Sequence, residues 1–278
     1  MAAPFDAPYM QRALAEALML AVLGGVLGTW IVLRRLAFFT HGVGTAAFPG
    51  LVAAGPLGVA PQLAALGGAL LYAVALERLT RSRRVAVDVA TGLLLVGALA
   101  IGAVLASDVF RSGAGVDRLL FGSLIALTPG DLRLTALAVV GVLAVDALAR
   151  RAWLAGAMDP DGARALGLPV RAAELALLGA IAAAVVVALD AVGALLVSVV
   201  LIVPAATVRL VARSLRGLRA GTVALGAAEA VGGLLLAWTV DVGPGPALAV
   251  LSGGVFAAVA AARALRPAWL ARLREAPA

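Results

Sequence analysis

The chain has 278 residues, 63% of them hydrophobic, with a mean hydropathy of +1.08, well above the apolar share of soluble domains, which excludes a soluble globular fold. The formal net charge is +7, cysteine is absent, and all 22 basic residues are arginine. Disulfide frameworks, thiolate metal sites, a lysine Schiff base and the lysine-bearing phosphate loop of P-loop ATPases are therefore excluded.

Apolar runs of about twenty residues recur along the chain, the length one helical membrane crossing needs. The expected fold class is all-α, a polytopic membrane helical bundle. No cleavable signal peptide is expected, because no basic-then-apolar order with a small-residue cleavage site opens the chain. No extramembrane stretch is long enough for a second domain, so a single transmembrane domain over residues 1–278 is expected.

The first span is predicted over residues 14–33 and ends at Arg34–Arg35. The second starts near Thr40 and is short, broken by Pro49, Gly50, Gly55 and Pro56. The third covers 62–79 and ends in RLTRSRR (78–84); the fourth covers 88–106. A polar stretch, 107–118, leads to LLFGSLIALTPGD, which is apolar but too short to cross. The fifth span covers 132–148 and ends at Arg150–Arg151. Residues 172–208 form one apolar stretch, too long for a single crossing. It is read as two spans joined by a tight turn near Asp190–Gly193, with Pro204 inside the second. The eighth span covers 220–240, a turn at Asp241 to Pro246 holds Gly243 and Pro244, and the ninth ends at Arg263. Nine crossings result, or eight if the short second segment does not span.

Arginine in short loops sets orientation. Placing Arg34–Arg35 in the cytoplasm leaves Arg12, Arg111, Arg118 and Arg133 outside and the other 18 of 22 inside. The N-terminus is then outside and the C-terminus cytoplasmic. The outer face carries Asp6, Asp108, Asp117, Asp131, Asp190 and Asp241, a mildly cation-attracting mouth.

Few side chains carry chemistry. The single histidine, His41, and Thr45 are four apart and share a helical face. They read either as a weak cation-holding pair or as an imidazole bonded near a helix start with Thr40 as N-cap. Glu229 lies mid-span, where a carboxylate is costly, and is a functional candidate by default. Asp190 sits at an outer turn. Asp88 opens the fourth span and suits N-capping and the helix dipole, and Glu174 reads as a solvated or paired helix-start acid beside Arg171. In the cytoplasmic loop (about 156–171), Asp159-Pro160 starts a turn or short helix. There Ala163, Leu166 and Leu168 can form a small apolar knob, and Gly167 and Pro169 stop it. That is the form of a docking contact, or of an ordinary connector. The motifs H-E-x-x-H and G-x-S-x-G are absent, so no enzymatic activity is expected of this chain.

The ordered series LRRLAFF (33–39), Asp88 with Gly92, LFGSLIALTPGDL (120–132), the 159–169 loop, VGALLVSVVLIVPAAT (192–207) and GGLLLAW…DVGPGP (232–246) resembles the zinc/manganese/iron permeases of ATP-binding-cassette importers. The resemblance implies a homodimeric permease in the bacterial cytoplasmic membrane, with two separate ATPase subunits and an extracellular or periplasmic metal-binding protein. No permanently bound cofactor and no nucleic acid are implied. Residues Asp159, Ala163, Leu166, Gly167, Leu168 and Pro169 would couple to the ATPase. Many members carry Asp-x-x-x-His in the second span; here His41 stands where the Asp would be and Thr45 where the His would be. Glu229 is then a candidate source of the missing negative charge. Loss of a hard carboxylate with retention of a nitrogen donor leans toward Zn2+. Manganese or iron import, a metal-chelate permease and a stand-alone secondary carrier are the alternatives.

Overall fold

The computed structural model describes residues 5–81, 85–109 and 122–275, and among these no strand occurs. Arg83, Arg84 and the stretch holding Arg111, Asp117 and Arg118 lie outside the described residues. Helix α1 is Pro8–Arg34, α2 Ala37–Leu57, α3 Pro61–Thr80, α4 Val87–Val104 and α5 Pro129–Met158. A short helix, α6, covers Pro160–Ala165. Then follow α7 (Val170–Gly193), α8 (Leu196–Arg209), α9 (Leu215–Val240) and α10 (Pro244–Glu275). Eight of these are long and apolar enough to cross a membrane, so the all-α polytopic fold is present.

Local chemistry sets the boundaries. Proline opens α3 and α5, where its missing N–H costs nothing. A capping box starts α5: the Asp131 N–H donates to the Thr128 hydroxyl, and the Thr128 N–H donates to Asp131 Oδ2. Ser214 caps α9 by accepting from the Gly217 N–H at 3.1 Å. Left-handed residues end α1 at Arg35, α2 at Gly58 and α9 at Asp241.

Four expectations shift. The segment too short to span is α8, of 14 residues by its bounds, whereas α2 runs for 21. Pro49 and Pro56 stay inside α2, as membrane helices allow when neighbours satisfy the freed backbone. Thr40 does not cap α2: the helix begins at Ala37, and the Thr40 hydroxyl donates back to the Leu36 carbonyl at 3.0 Å. Of the two roles expected of Asp88, capping falls to Ala86 without a side-chain bond, while the dipole role stands, since Asp88 lies in the first turn of α4. Helix α5 continues past Arg150 and Arg151, because arginine sustains a helix once it leaves the apolar layer.

The expected reversal near Asp190–Gly193 is present. Gly193 has φ 75° and ψ 162° between α7 and α8, a conformation essentially restricted to glycine. Glu174 near the start of α7 bonds to Arg34, while Arg209 at the end of α8 bonds to the Val32 carbonyl. Both ends of this hairpin thus return to one end of the bundle, the arginine end. Gly122, at φ 62°, rests on the Gly193 backbone so closely that a Cβ would collide with it, and the Ser123 N–H donates to the Asp190 carbonyl at 3.1 Å. The apolar segment too short to cross therefore plugs the turn.

Helices α1 and α7 form the centre, each 67% buried over its apolar window. Glycine makes this possible: at Gly28 of α1 a Cβ would strike the Leu201 carbonyl of α8. Around this centre, α2 packs on α3, α4 and the α7–α8 hairpin, and α9 and α10 pack on the opposite flank. Helices α4, α5 and α10 are only 17%, 17% and 11% buried, leaving broad apolar faces for lipid or another chain.

Candidate functional site

His41 and Thr45 lie on α2, both half-buried. Their helical face continues, three residues further each way, to Phe38 on one side and Phe48 on the other. Phe38 packs at Gly92 and Phe48 at Gly102, both on α4. Two aromatic contacts thus bracket a partly open polar stripe at membrane depth. Pro49 has no N–H to give the Thr45 carbonyl, so the backbone there also lacks its helical donor. Gly50, next to Pro49, lets α3 approach until a Cβ would meet the Ala64 carbonyl.

Glu229 is on the other side of the hairpin. Helix α9 packs on α1, α10 and the α7–α8 hairpin, whereas α2 packs on α3, α4 and the hairpin. The carboxyl is 4% exposed, and the Ser252 hydroxyl of α10 donates to its Oε2 at 2.6 Å. It faces a cavity of about 20 Å³ that is lined in part by Val200 and Pro204, and His41 is not among the lining residues. The fold places His41 and Glu229 on opposite flanks of the α7–α8 hairpin and does not bring them together.

Asp190 accepts from the Gln62 amide of α3 at 3.3 Å. It lies at the end of the bundle opposite Arg34, and two further acids, Glu16 and Asp146, are buried at the two ends of the bundle. Glu16 of α1 is 1% exposed and accepts from the Thr135 hydroxyl at 2.8 Å. At the arginine end, Asp146 of α5 is equally hidden, accepting from Trp30 Nε1 at 2.9 Å and from both terminal nitrogens of Arg219. Each acid is a single charge within an apolar run; a rule that flags every intramembrane carboxylate would have found both. Glu174 is paired as expected, but with Arg34 at 2.7 Å, while Arg171 faces Glu77 at 3.7 Å.

The 156–171 loop forms a built turn. Asp159 accepts from the Asp161 and Gly162 N–H groups, and Gly167, at φ 74°, closes α6. Ala163 is buried beneath it, Leu168 is half-buried, and Leu166 stands 80% exposed. Pro169 stands at the N-cap of α7. Gly243 precedes Pro244, which opens α10.

Among the described residues no three His, Asp or Glu side chains converge as a metal site. The polar groups instead form separate positions: the His41 stripe, the Glu229 cavity and the Asp190 end.

The chain is 30% identical over 249 residues to the manganese transport system membrane protein MntC of Halalkalibacterium halodurans, covering 90% of this chain and 85% of that one. It is 29% identical to the chelated iron transport system membrane protein YfeD of Yersinia pestis, covering 91% and 85%. The PsaBC structure from Streptococcus pneumoniae superposes with a TM-score of 0.80 at 26% identity, covering 91% of each chain. An inward-facing metal-chelate type ABC transporter shares the fold alone, with a TM-score of 0.65 at 16% identity, covering 94% of this chain and 91% of that one. The model of the ABC 3 transport family matches residues 6–263, and this multi-pass membrane protein belongs to that family.

Proposed function

We propose that this chain is the permease subunit of an ATP-binding-cassette importer for a divalent transition metal in a bacterial cytoplasmic membrane. The His41–Thr45 stripe on α2 is the observation that carries the reading. A membrane-embedded imidazole, a neighbouring hydroxyl and a carbonyl without its helical donor together make a weak, exposed set of donors. Weak holding suits a path, since a transported ion must leave as readily as it enters. In this reading the arginine end faces the cytoplasm, and Asp190 stands near the outer mouth, where a metal-binding protein delivers the ion. The half-open stripe becomes a lined path when a second copy covers it. The exposed Leu166 and the α6 turn dock on an ATPase subunit, which supplies the energy.

Two observations point to different metals. The relatives' names mention manganese and iron, while His41 and Thr45 replace an acid-and-histidine pair with a nitrogen donor and a hydroxyl, a softer set that suits Zn2+. Metal-resolved uptake by cells carrying the permease with its ATPase and binding protein tests the reading. ATP-dependent accumulation of one divalent metal, lost in His41→Ala, is expected; uptake unaffected by His41→Ala removes the stripe from the path.

A further inference from the structure

The Glu229 cavity combines features that the transport reading leaves unused. Its volume, about 20 Å³ of space for water-sized occupants, admits one small particle. Glu229 lines the cavity, and its Oε1 is buried with no hydrogen-bond partner. Ser252 spends its proton on Glu229 Oε2, so only its oxygen lone pairs remain. Pro204 lies four residues after Val200 within the helix and has no N–H, which leaves the Val200 carbonyl without its helical donor; both residues line the cavity. The Val200 carbonyl points toward α1, where it lies 3.0 Å from the position a Cβ would take on Gly24. Gly24 opens the π-helical turn of α1, Gly24–Gly28, a distortion that often accompanies functional positions. The polar groups identified at this cavity are thus acceptors, and the rest of its lining, including Leu20 and Leu248, is apolar.

A pocket of acceptors around a buried carboxylate selects a positively charged occupant. Among the described residues no arginine lines the cavity, so a positively charged occupant is what would balance Glu229 in its ionised form. One carboxylate neutralises one positive charge; a divalent ion would leave an uncompensated charge among apolar side chains. Oxygen donors are hard, which matches an alkali cation rather than a thiophilic metal. We propose that the cavity between α1, α8, α9 and α10 binds one small monovalent cation, held by Glu229, Ser252 and the Val200 carbonyl. The ion clamps the proline-broken half-helix α8 to the α9–α10 pair, and it is separate from the His41 stripe that the transport reading assigns to the metal. The proposal does not rest on that reading.

The test is thermal unfolding of the full chain in lipid nanodiscs, in sodium chloride against choline chloride at matched ionic strength, since choline is too large for the cavity. A ligand that binds only the folded state raises the unfolding midpoint with concentration. Sodium is expected to raise Tm by about 2–4 °C, Glu229→Gln to remove the response, and Ser252→Ala to weaken it. Pro204→Ala returns an N–H to the Val200 carbonyl and is expected to reduce the sodium response. Should Glu229→Gln not fold, the Ser252→Ala and Pro204→Ala variants decide the matter. Equal Tm in sodium and choline, an undiminished sodium response in these variants, or a response to Mn2+ or Zn2+ in place of sodium each overturn the proposal.

Discussion

Arg219 grips Asp146 across 73 residues of sequence, with both terminal guanidinium nitrogens on the two carboxylate oxygens. The same guanidinium lies 5.4 Å from the centroid of the Trp30 ring, and Trp30 also donates to Asp146. Trp30 in turn meets Trp153 edge-on at 5.5 Å, and Trp153 Nε1 donates to the Ala173 carbonyl. One acid of α5 thus ties α1, α5 and α9 together, and the paired indoles extend the network to α7. Removing one partner of a buried ion pair strands the other, at about 3–5 kcal/mol. Asp146→Ala is therefore expected to lower thermal stability in detergent by that amount, and Arg219→Ala comparably. Arg219→Lys keeps the charge but cannot form the fork or lie flat on Trp30, so it is expected to recover only part of the loss.

The His41–Thr45 stripe sets the second expectation. The double variant His41→Asp with Thr45→His restores the acid-and-histidine order that the family resemblance implies for this span. A hard carboxylate beside an imidazole shifts preference toward Mn2+. Uptake assayed with Mn2+ and Zn2+ in competition should move toward Mn2+ in the double variant. An unchanged ratio would place metal selection elsewhere, in the delivering protein or at the Asp190 end.

Leu166 is an exposed large apolar residue on the α6 turn, and Gly167 beside it has a left-handed backbone. Leu166→Glu leaves the fold intact because the side chain touches little. It is expected to reduce co-purification of the ATPase subunit and to abolish coupled uptake, while Tm stays unchanged. Retained co-purification would make the turn a connector only.

Gly193 reverses the chain at a backbone conformation that side chains rarely adopt, with Gly122 pressed on its amide. Gly193→Ala should cost about 1–3 kcal/mol, read as a lower unfolding midpoint. If stability is unaffected, the turn relaxes without penalty and the plug at Gly122 is not what holds it.

The periodic apolar runs and the arginine clusters were enough to establish a helical membrane bundle, to locate its spans and to predict the reversal near Gly193, because lipid forces every backbone group into a helix of roughly fixed length. The order of short motifs along the chain pointed to the family. Helix ends were less legible: Thr40 and Asp88 look like caps in sequence, yet capping depends on where the backbone leaves the helix, which neighbouring chain segments decide. Only the tertiary structure separated Glu229 from His41, since their placement on opposite flanks of the α7–α8 hairpin is a matter of packing. The same holds for Asp146 and Glu16. Each is one charge in an apolar run, and its meaning comes from partners more than a hundred residues away, Trp30 for the one and Thr135 for the other, brought within hydrogen-bond reach by the packing of α1 on α5.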